Sequence, residues 1–461
     1  MRMSSNHLWK ASVFNNTVPS GCGATWFNSS SSCLFSLSGG AARTLDSVLE
    51  SLAHGVPPND ALTHQLSALG LIVPEDLDEY EGERVAFQDR LRARETLKIT
   101  IAPTMACNLR CTYCFQQHLR RSPLLDRGIQ CGIVELVRRL MQGTNLLVVQ
   151  WFGGEPLLAW PQICEMTADF QRICADCGAS YYAEMLSNGT LLSADKIAQL
   201  DQIAVRALQI PLDGDVATYA LRKRIPIDKA RAFHEFLAGH LQQIVDKTGS
   251  VTIRVNVDRD NPDGGKEVVR MIRAAGCVDP RIDFRLGFLN TSRGILECIP
   301  HDCFSPNEFG DAENDFRRFL AEQGYHVYGQ PSSRRFPCAA PLDHSFTVDP
   351  TGRIGKCVPS IGTGESVFAH IYPGDPVKTL DEIGQAKIPY GGFDPFAQGP
   401  CRGCSLLPAC LGSCPKMHEE GATLLCAMKT GLSDRLSFYA AEPINQTAGE
   451  SKQWLEIQPS S

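Results

Sequence analysis

The chain has 461 residues, 43% hydrophobic and 21% charged, long enough for about two to four domains and ordinary enough in composition to fold. A small disulfide-stapled peptide and a disordered chain are excluded, and 44 Lys and Arg against 51 Asp and Glu, net -7, give no overall field for a phosphate backbone. No run of about 18 apolar residues and no basic start followed by an apolar run occurs, so the expectation is a cytoplasmic chain with no nucleic-acid or membrane partner, whose 19 cysteines are mostly not disulfides.

Residues 1–93 read as a winged-helix-like module: a strand at 33–38, a helix in GGAARTLDSVLESLAHG, a second in NDALTHQLSALG, and the short apolar run LIV. An N-terminal cap packed on the next domain is the alternative. The acidic PEDLDEYEGE reads as a solvated linker. From residue 97 strands and helices alternate. Strands are expected in LKITIAP, NLLVVQWF, YYAEMLSN, VRALQIPLDG, VTIRVNVD and RIDFRLG, with helices at 161–177 and in LSADKIAQL, RAFHEFLAGHLQQIVD and GKEVVRMIRAAG. The fold class is therefore α/β, a partial (β/α)6 TIM-like barrel over 94–305 with ligands expected at the carboxyl ends of its strands. After about residue 290 cysteine, glycine and proline dominate through a bridging and cysteine-rich domain at 306–436, followed by a polar tail at 437–461.

Directly after the first barrel strand, APTMACNLRCTYCFQ places Cys107, Cys111 and Cys114 in a C-x3-C-x2-C loop. Soft thiolates hold iron–sulfur clusters or zinc, and three of them on a four-iron cluster leave one iron open. Zinc with a remote fourth ligand is the alternative. The three cysteines and the intervening Tyr113 resemble the signature loop of the radical S-adenosylmethionine superfamily. That resemblance implies that the methionine part of S-adenosylmethionine chelates the open iron. One electron, from a donor such as flavodoxin or ferredoxin, then yields methionine and a 5'-deoxyadenosyl radical that abstracts a substrate hydrogen.

The next strand ends in QWFGGEP, where Gly153 and Gly154 permit close backbone approach and Glu155 offers an acceptor for an ammonium. It resembles the family motif that holds the cofactor's amino group. Ser187 and Asn188, Gln209 and Asp213, and Arg254 with Asn256 lie where the resemblance implies ribose, carboxylate and substrate contacts. Each is alternatively a strand-end or turn residue. Arg254 suits the methionine carboxylate because its fork binds both oxygens, and Asp213 is the candidate for a catalytic base.

Downstream, Cys338, Gly352 and Cys357 are spaced C-x13-G-x4-C, and Cys401, Cys404, Cys410 and Cys414 are spaced C-x2-C-x5-C-x3-C, before a final Cys426. This resembles the SPASM auxiliary-cluster domain and implies three [4Fe-4S] clusters in all. By that resemblance Cys401, Cys404, Cys410 and Cys426 hold an outer cluster and Cys338, Cys357 and Cys414 an inner one. Ser332 stands where fully ligated relatives have a fourth inner cysteine. An open iron, or a ligand from Cys298 or Cys303, follows; a zinc ribbon is the alternative for the last group. Cys22, Cys33, Cys131, Cys164, Cys174, Cys177 and Cys277 are expected to pack.

The N-terminal pattern is similar to leader-recognition modules of enzymes that mature ribosomally made peptides, which take the leader as an added strand. The resemblance implies a precursor-peptide partner and an oxidative intrapeptide crosslink through a carbon–carbon, thioether or related bond. A sulfatase maturase forming formylglycine, a peptide epimerase, and a non-enzymatic electron carrier or zinc scaffold are the alternatives.

Overall fold

The computed structural model describes residues 8–21, 23–55, 58–119, 122–289, 302–327, 329–333, 338–397, 399–419, 426 and 429–441. Its strands are β1 (Trp9–Ala11), β2 (Asn15–Ser20), β3 (Gly23–Asn28), β4 (Leu34–Leu37), β5 (Ile72–Pro74), β6 (Thr96–Ile101), β7 (Leu146–Trp151), β8 (Ser180–Leu186), β9 (Val205–Pro211), β10 (Val251–Val257), β11 (Ile282–Phe288), β12 (Ser345–Val348), β13 (Arg353–Gly355) and β14 (Ala369–His370). The helices are α1 (Gly39–Leu52), α2 (Asp60–Ala68), α3 (Glu79–Arg92), α4 (Arg127–Leu140), α5 (Trp160–Cys177), α6 (Ala194–Gln199), α7 (Val216–Lys223), α8 (Ile227–Thr248), α9 (Gly264–Ala274), α10 (Pro306–Glu322), α11 (Pro376–Gln385), α12 (Leu407–Cys410), α13 (Pro415–Glu419) and α14 (Leu432–Ala441). No described helix is long and apolar enough to cross a membrane.

Two compact units result, Met1–Leu91 with Gly329–Cys338 and Phe393–Ser461, and Arg92–Tyr328 with Ala339–Gly392. They cut across the four segments 1–93, 94–305, 306–436 and 437–461 expected from the sequence. In the second unit β6 to β11 lie side by side in chain order, every neighbouring pair parallel, with helices in the connections. This is the α/β partial barrel, and its strands are rich in the β-branched and aromatic residues that a doubly covered sheet buries. Ile99, Ile101, Val149, Trp151, Met185 and Ile253 are fully buried in it. Regular structure continues past residue 290. α10 follows with a capping box formed by Ser305 and Glu308, and β12 pairs parallel with β6, carrying β13 and β14 onto the same sheet.

In the first unit β2, β3 and β4 form an antiparallel sheet, and β1 pairs with β5. Trp26, Leu45, Leu52, Leu66, Leu71 and Ile72 make one core. A second core joins Phe27 to Leu406, Ala409 and Leu436, so the N-terminal sheet and the last cysteine group share buried apolar surface that neither segment supplies alone. The tail expected from 437 begins inside α14, whose Leu436 and Tyr439 are buried; residues 442–461 lie outside the described set.

The acidic linker is instead the start of α3. Glu79 and Glu81 occupy the first turn, where carboxylates are stabilised by the positive end of the helix dipole, and Phe87 and Leu91 are buried further on. Charge alone misled here, because the acidic residues mark a helix N-terminus. The packing expectation also divides: Cys174 and Cys277 are buried and Cys33 and Cys164 half-buried, but Cys131 and Cys177 are exposed, and Cys22 lies outside the described residues.

Candidate functional site

The barrel residues singled out in the sequence lie at or beyond the middle of their strands, most of them at the carboxyl end or in the turn that follows. The loop after β6 is tied at its base by Leu125 N donating to Pro103 O at 2.8 Å, and Ala106 N donates to Thr104 Oγ1 at 3.0 Å. The turn after β7 runs along it: Gly154 N donates to Thr104 O at 3.1 Å and Glu155 N to Ala106 O at 2.9 Å. That approach needs glycine. A Cβ on Gly153, at φ +121°, would collide with Thr104 O, and one on Gly154 with the carbonyl oxygens of Met105 and Ala106.

Cys107, Cys111 and Cys114 are half-buried on this loop. Burial pushes the Cys107 thiol up to about 11, the Leu109 N–H acts against that rise, and Glu155, Cys111 and Cys114 add to it. Metal coordination takes the place of such a proton. Among the described residues no three His, Cys, Asp or Glu side chains converge to hold a metal ion. Asn188 Nδ2 reaches Cys107 Sγ at 3.7 Å and Asn108 Oδ1 at 2.9 Å, and Leu109 N donates to Cys107 Sγ at 3.4 Å.

Glu155 is fully buried and its oxygens are occupied internally. Leu157 N and Ser187 Oγ donate to Oε1 at 2.9 and 2.8 Å, and Asn188 N donates to Oε2 at 2.7 Å. Burial raises its carboxyl to about 7, with the Leu157, Asn188 and Ser187 bonds opposing. Glu155 thus clamps the β7 end to the β8 end, and Ser187 and Asn188, expected as ribose or carboxylate contacts, are the other half of the clamp. Gln209 is half-buried in β9, its carbonyl accepting Ser187 N at 3.1 Å.

Beyond β9, Asp213 is fully buried and ion-paired with Lys223 at 2.6 Å. Its Oδ1 accepts Asn256 N at 3.0 Å and Asn256 Nδ2 at 3.1 Å, and the Tyr113 hydroxyl bonds to Oδ2. Burial opposes the charge, but Lys223, Tyr113 and Asn256 outweigh it and hold the carboxyl below the usual range. Asp213, expected as a base, thus has both carboxylate oxygens engaged by Lys223, Tyr113 and Asn256. Tyr113, expected against the cofactor, has its hydroxyl in the same cluster and its acidity suppressed, first by burial and then by Asp213.

Arg254 differs. Burial lowers its pKa, its Nε donates to Asn256 Oδ1 at 3.1 Å, and no described carboxylate pairs with it at ion-pair distance. Room for the guanidinium comes from Gly287, opposite Asn256 across the β10–β11 pair, where a Cβ would stand 2.8 Å from Arg254 Nε. A desolvated guanidinium without a carboxylate, at the strand ends that carry the cysteine loop, fits a ligand carboxylate. Sequence reasoning missed Lys223 and Arg222. Their signal, paired basic residues in the last turn of a helix, ordinarily marks a solvated helix end.

In the first unit, burial and then the neighbouring Cys410, Cys404 and Cys426 push the Cys401 thiol up to about 11. α3 grips this group: Gly403 N donates to the Tyr80 hydroxyl at 2.7 Å, which donates to Cys401 O at 3.3 Å, and Arg84 pairs with Asp394 at 2.7 Å. His418, also missed, places Nε2 2.7 Å from Gly412 O and 3.8 Å from Cys401 Sγ. The expected inner set is divided: Cys338 and Cys414 belong to the first unit and Cys357, after β13, to the second. Ser332 is exposed, Cys298 lies outside the described residues, and Cys303 follows Asp302, whose carbonyl accepts Arg259 N at 2.9 Å beyond the end of β10.

The profile of the Radical SAM superfamily matches residues 101–238. No curated protein matches the sequence. The structure is similar to native anSMEcpe with bound AdoMet and Kp18Cys peptide, with TM-score 0.56 and 17% identity over 75% of this chain and 97% of that one. It is similar also to anSMEcpe with bound AdoMet and Cp18Cys peptide, with TM-score 0.54 and 16% identity over 75% and 96% of the two chains. Streptococcus suis SuiB bound to precursor peptide SuiA gives TM-score 0.50 and 14% identity over 90% of this chain and 97% of that one. At these identities the likeness is one of fold. The superfamily match covers the cysteine loop, the glycine turn and the clamp of Glu155, so residues 101–238 are similar to a radical SAM domain within the α/β partial barrel.

Proposed function

We propose that this chain is a radical S-adenosylmethionine oxidoreductase that matures a ribosomally made precursor peptide, abstracting a hydrogen from one residue and closing an intrapeptide crosslink. The observation that carries the reading is the placement of Cys107, Cys111 and Cys114 on one loop against the Gly153–Gly154 turn, in the sheet that also presents Arg254, which no described carboxylate pairs at ion-pair distance. A four-iron cluster and S-adenosylmethionine would supply one-electron sulfonium cleavage and a hydrogen-abstracting carbon radical. The three cysteines would hold the cluster, and the Arg254 fork would take the cofactor's carboxylate. Gly153 and Gly154 would let the backbone reach its amino group, while Ser187, Asn188, Gln209 and Tyr113 line the neighbouring strand ends. Glu155 serves by fixing two of those ends together.

Net oxidation needs an exit for an electron. Cys401, Cys404, Cys410 and Cys426 would hold an outer [4Fe-4S] cluster and Cys338, Cys357 and Cys414 an inner one, the route out to a flavodoxin- or ferredoxin-type partner. The N-terminal module, with its small antiparallel sheets and three helices, would bind the leader through an exposed strand edge. Similarity in fold to SuiB bound to precursor peptide SuiA supports a peptide substrate.

The test uses the full chain, anaerobically reconstituted and reduced with dithionite, with S-adenosylmethionine and the short peptides encoded beside its gene. Formation of 5'-deoxyadenosine together with a peptide lighter by the mass of two hydrogens is expected. No 5'-deoxyadenosine would overturn the radical reading. Its formation while every such peptide keeps its mass would overturn the crosslinking reading.

A further inference from the structure

Helix α7 ends against the cysteine loop. The last carbonyls of a helix have no partner within it, and here two are taken up by the loop: Thr112 N donates to Arg222 O at 2.9 Å and Arg110 N to Lys223 O at 3.3 Å. The Lys223 side chain turns the same way. It is 1% exposed, its Nζ bonds to Asp213 Oδ2 at 2.6 Å and to the Tyr113 hydroxyl, and it lies 4.9 Å from the centre of the Tyr113 ring and 5.3 Å from that of Tyr219. Arg222 pairs with Asp258 and donates to Asn256 O at 3.2 Å, fixing the helix end to the end of β10.

We propose that Lys223 is a positioning residue for the cysteine loop, and that the buried Lys223–Asp213 pair balances the charge beneath the cluster that the loop holds. The proposal rests on the reading of Cys107, Cys111 and Cys114 as cluster ligands. A cluster gains negative charge on reduction, so a buried cation beside its ligands favours the reduced form and a buried anion the oxidised form. With both present the effects offset. Removing either leaves the other uncompensated where water does not screen it. Backbone anchoring alone would not produce effects of opposite sign.

The test measures, on the full reconstituted chain, the midpoint potential of the cluster whose electron paramagnetic resonance signal changes on adding S-adenosylmethionine. Lys223→Met leaves the Asp213 carboxylate, still held by Asn256 N and Nδ2, and its potential is expected to move negative. Asp213→Asn leaves the ammonium, and its potential is expected to move positive. Lys223→Arg keeps the charge and should stay near wild type. Potentials that do not move, or that move in the same direction in both charge variants, overturn the proposal. Should Lys223→Met lose the cluster, Asp213→Asn alone decides, a positive shift supporting and an unchanged value refuting. A wild type whose cluster signal ignores S-adenosylmethionine removes the radical reading and this proposal with it, whereas a responsive wild type with unmoved variants removes only the proposal.

Discussion

Deleting the first 91 residues is expected to cost the chain its outer cysteine group as well as its N-terminal module, because the two fold as one unit. The Phe27 side chain, fully buried on β3, packs against Leu406, Ala409 and Leu436. Tyr80 and Arg84 of α3 hold Cys401, Gly403 and Asp394. Phe27→Ala alone should cost about 3–5 kcal/mol, a large part of a typical stability of about 5–15 kcal/mol. The truncation adds the loss of every α3 contact. If Cys401, Cys404, Cys410 and Cys426 hold a cluster as proposed, iron analysis should show that cluster's iron missing from the truncated chain while iron bound by the cysteine loop of the second unit is kept. A truncated chain with wild-type iron would contradict the shared core. Loss of peptide maturation on truncation is therefore no measure of leader binding.

Gly154→Ala is expected to damage the cysteine loop directly. Its Cβ would enter the space of Met105 O and Ala106 O, which are backbone atoms and cannot rotate aside. Overpacking of this kind costs about 1–3 kcal/mol. Here relief means separating the turn from the loop and breaking the Glu155 N to Ala106 O bond. Iron at the loop and S-adenosylmethionine binding should both fall severalfold, with the outer group unaffected. Gly384→Ala is the control, since its Cβ within α11 meets nothing within 4 Å. Equal iron in the two variants would show that the close approach is not required.

The barrel was legible because its strands are apolar runs set between helical periods, and parallel strands with covering helices leave that pattern in any sequence. The cysteine loop and the glycine turn were legible because the chemistry dictates their spacing. What escaped depends on contacts far apart in the chain. Nothing local tells that Phe27 and Leu436 share a core, or that Tyr80 bonds to Gly403. β12 was missed because four residues at 345–348 carry too little periodicity, and it is a strand by virtue of pairing with β6. Residue type alone suggests a chemical role for Asp213 and gives no sign of its buried ion pair with Lys223, ten residues on. Glu155 shows the same limit: the residue was found, but its oxygens serve the ends of β7 and β8.

The proposed function requires one open-iron cluster on the barrel loop and auxiliary clusters held by the later cysteines. Iron and acid-labile sulfide per chain, measured on anaerobically reconstituted wild type beside a variant with Cys107, Cys111 and Cys114 replaced by Ala, test it most directly. About twelve irons are expected in wild type and about eight in the variant. Four or fewer in fully reconstituted wild type would contradict the proposed function and leave the crosslinking reaction without its route for the electron.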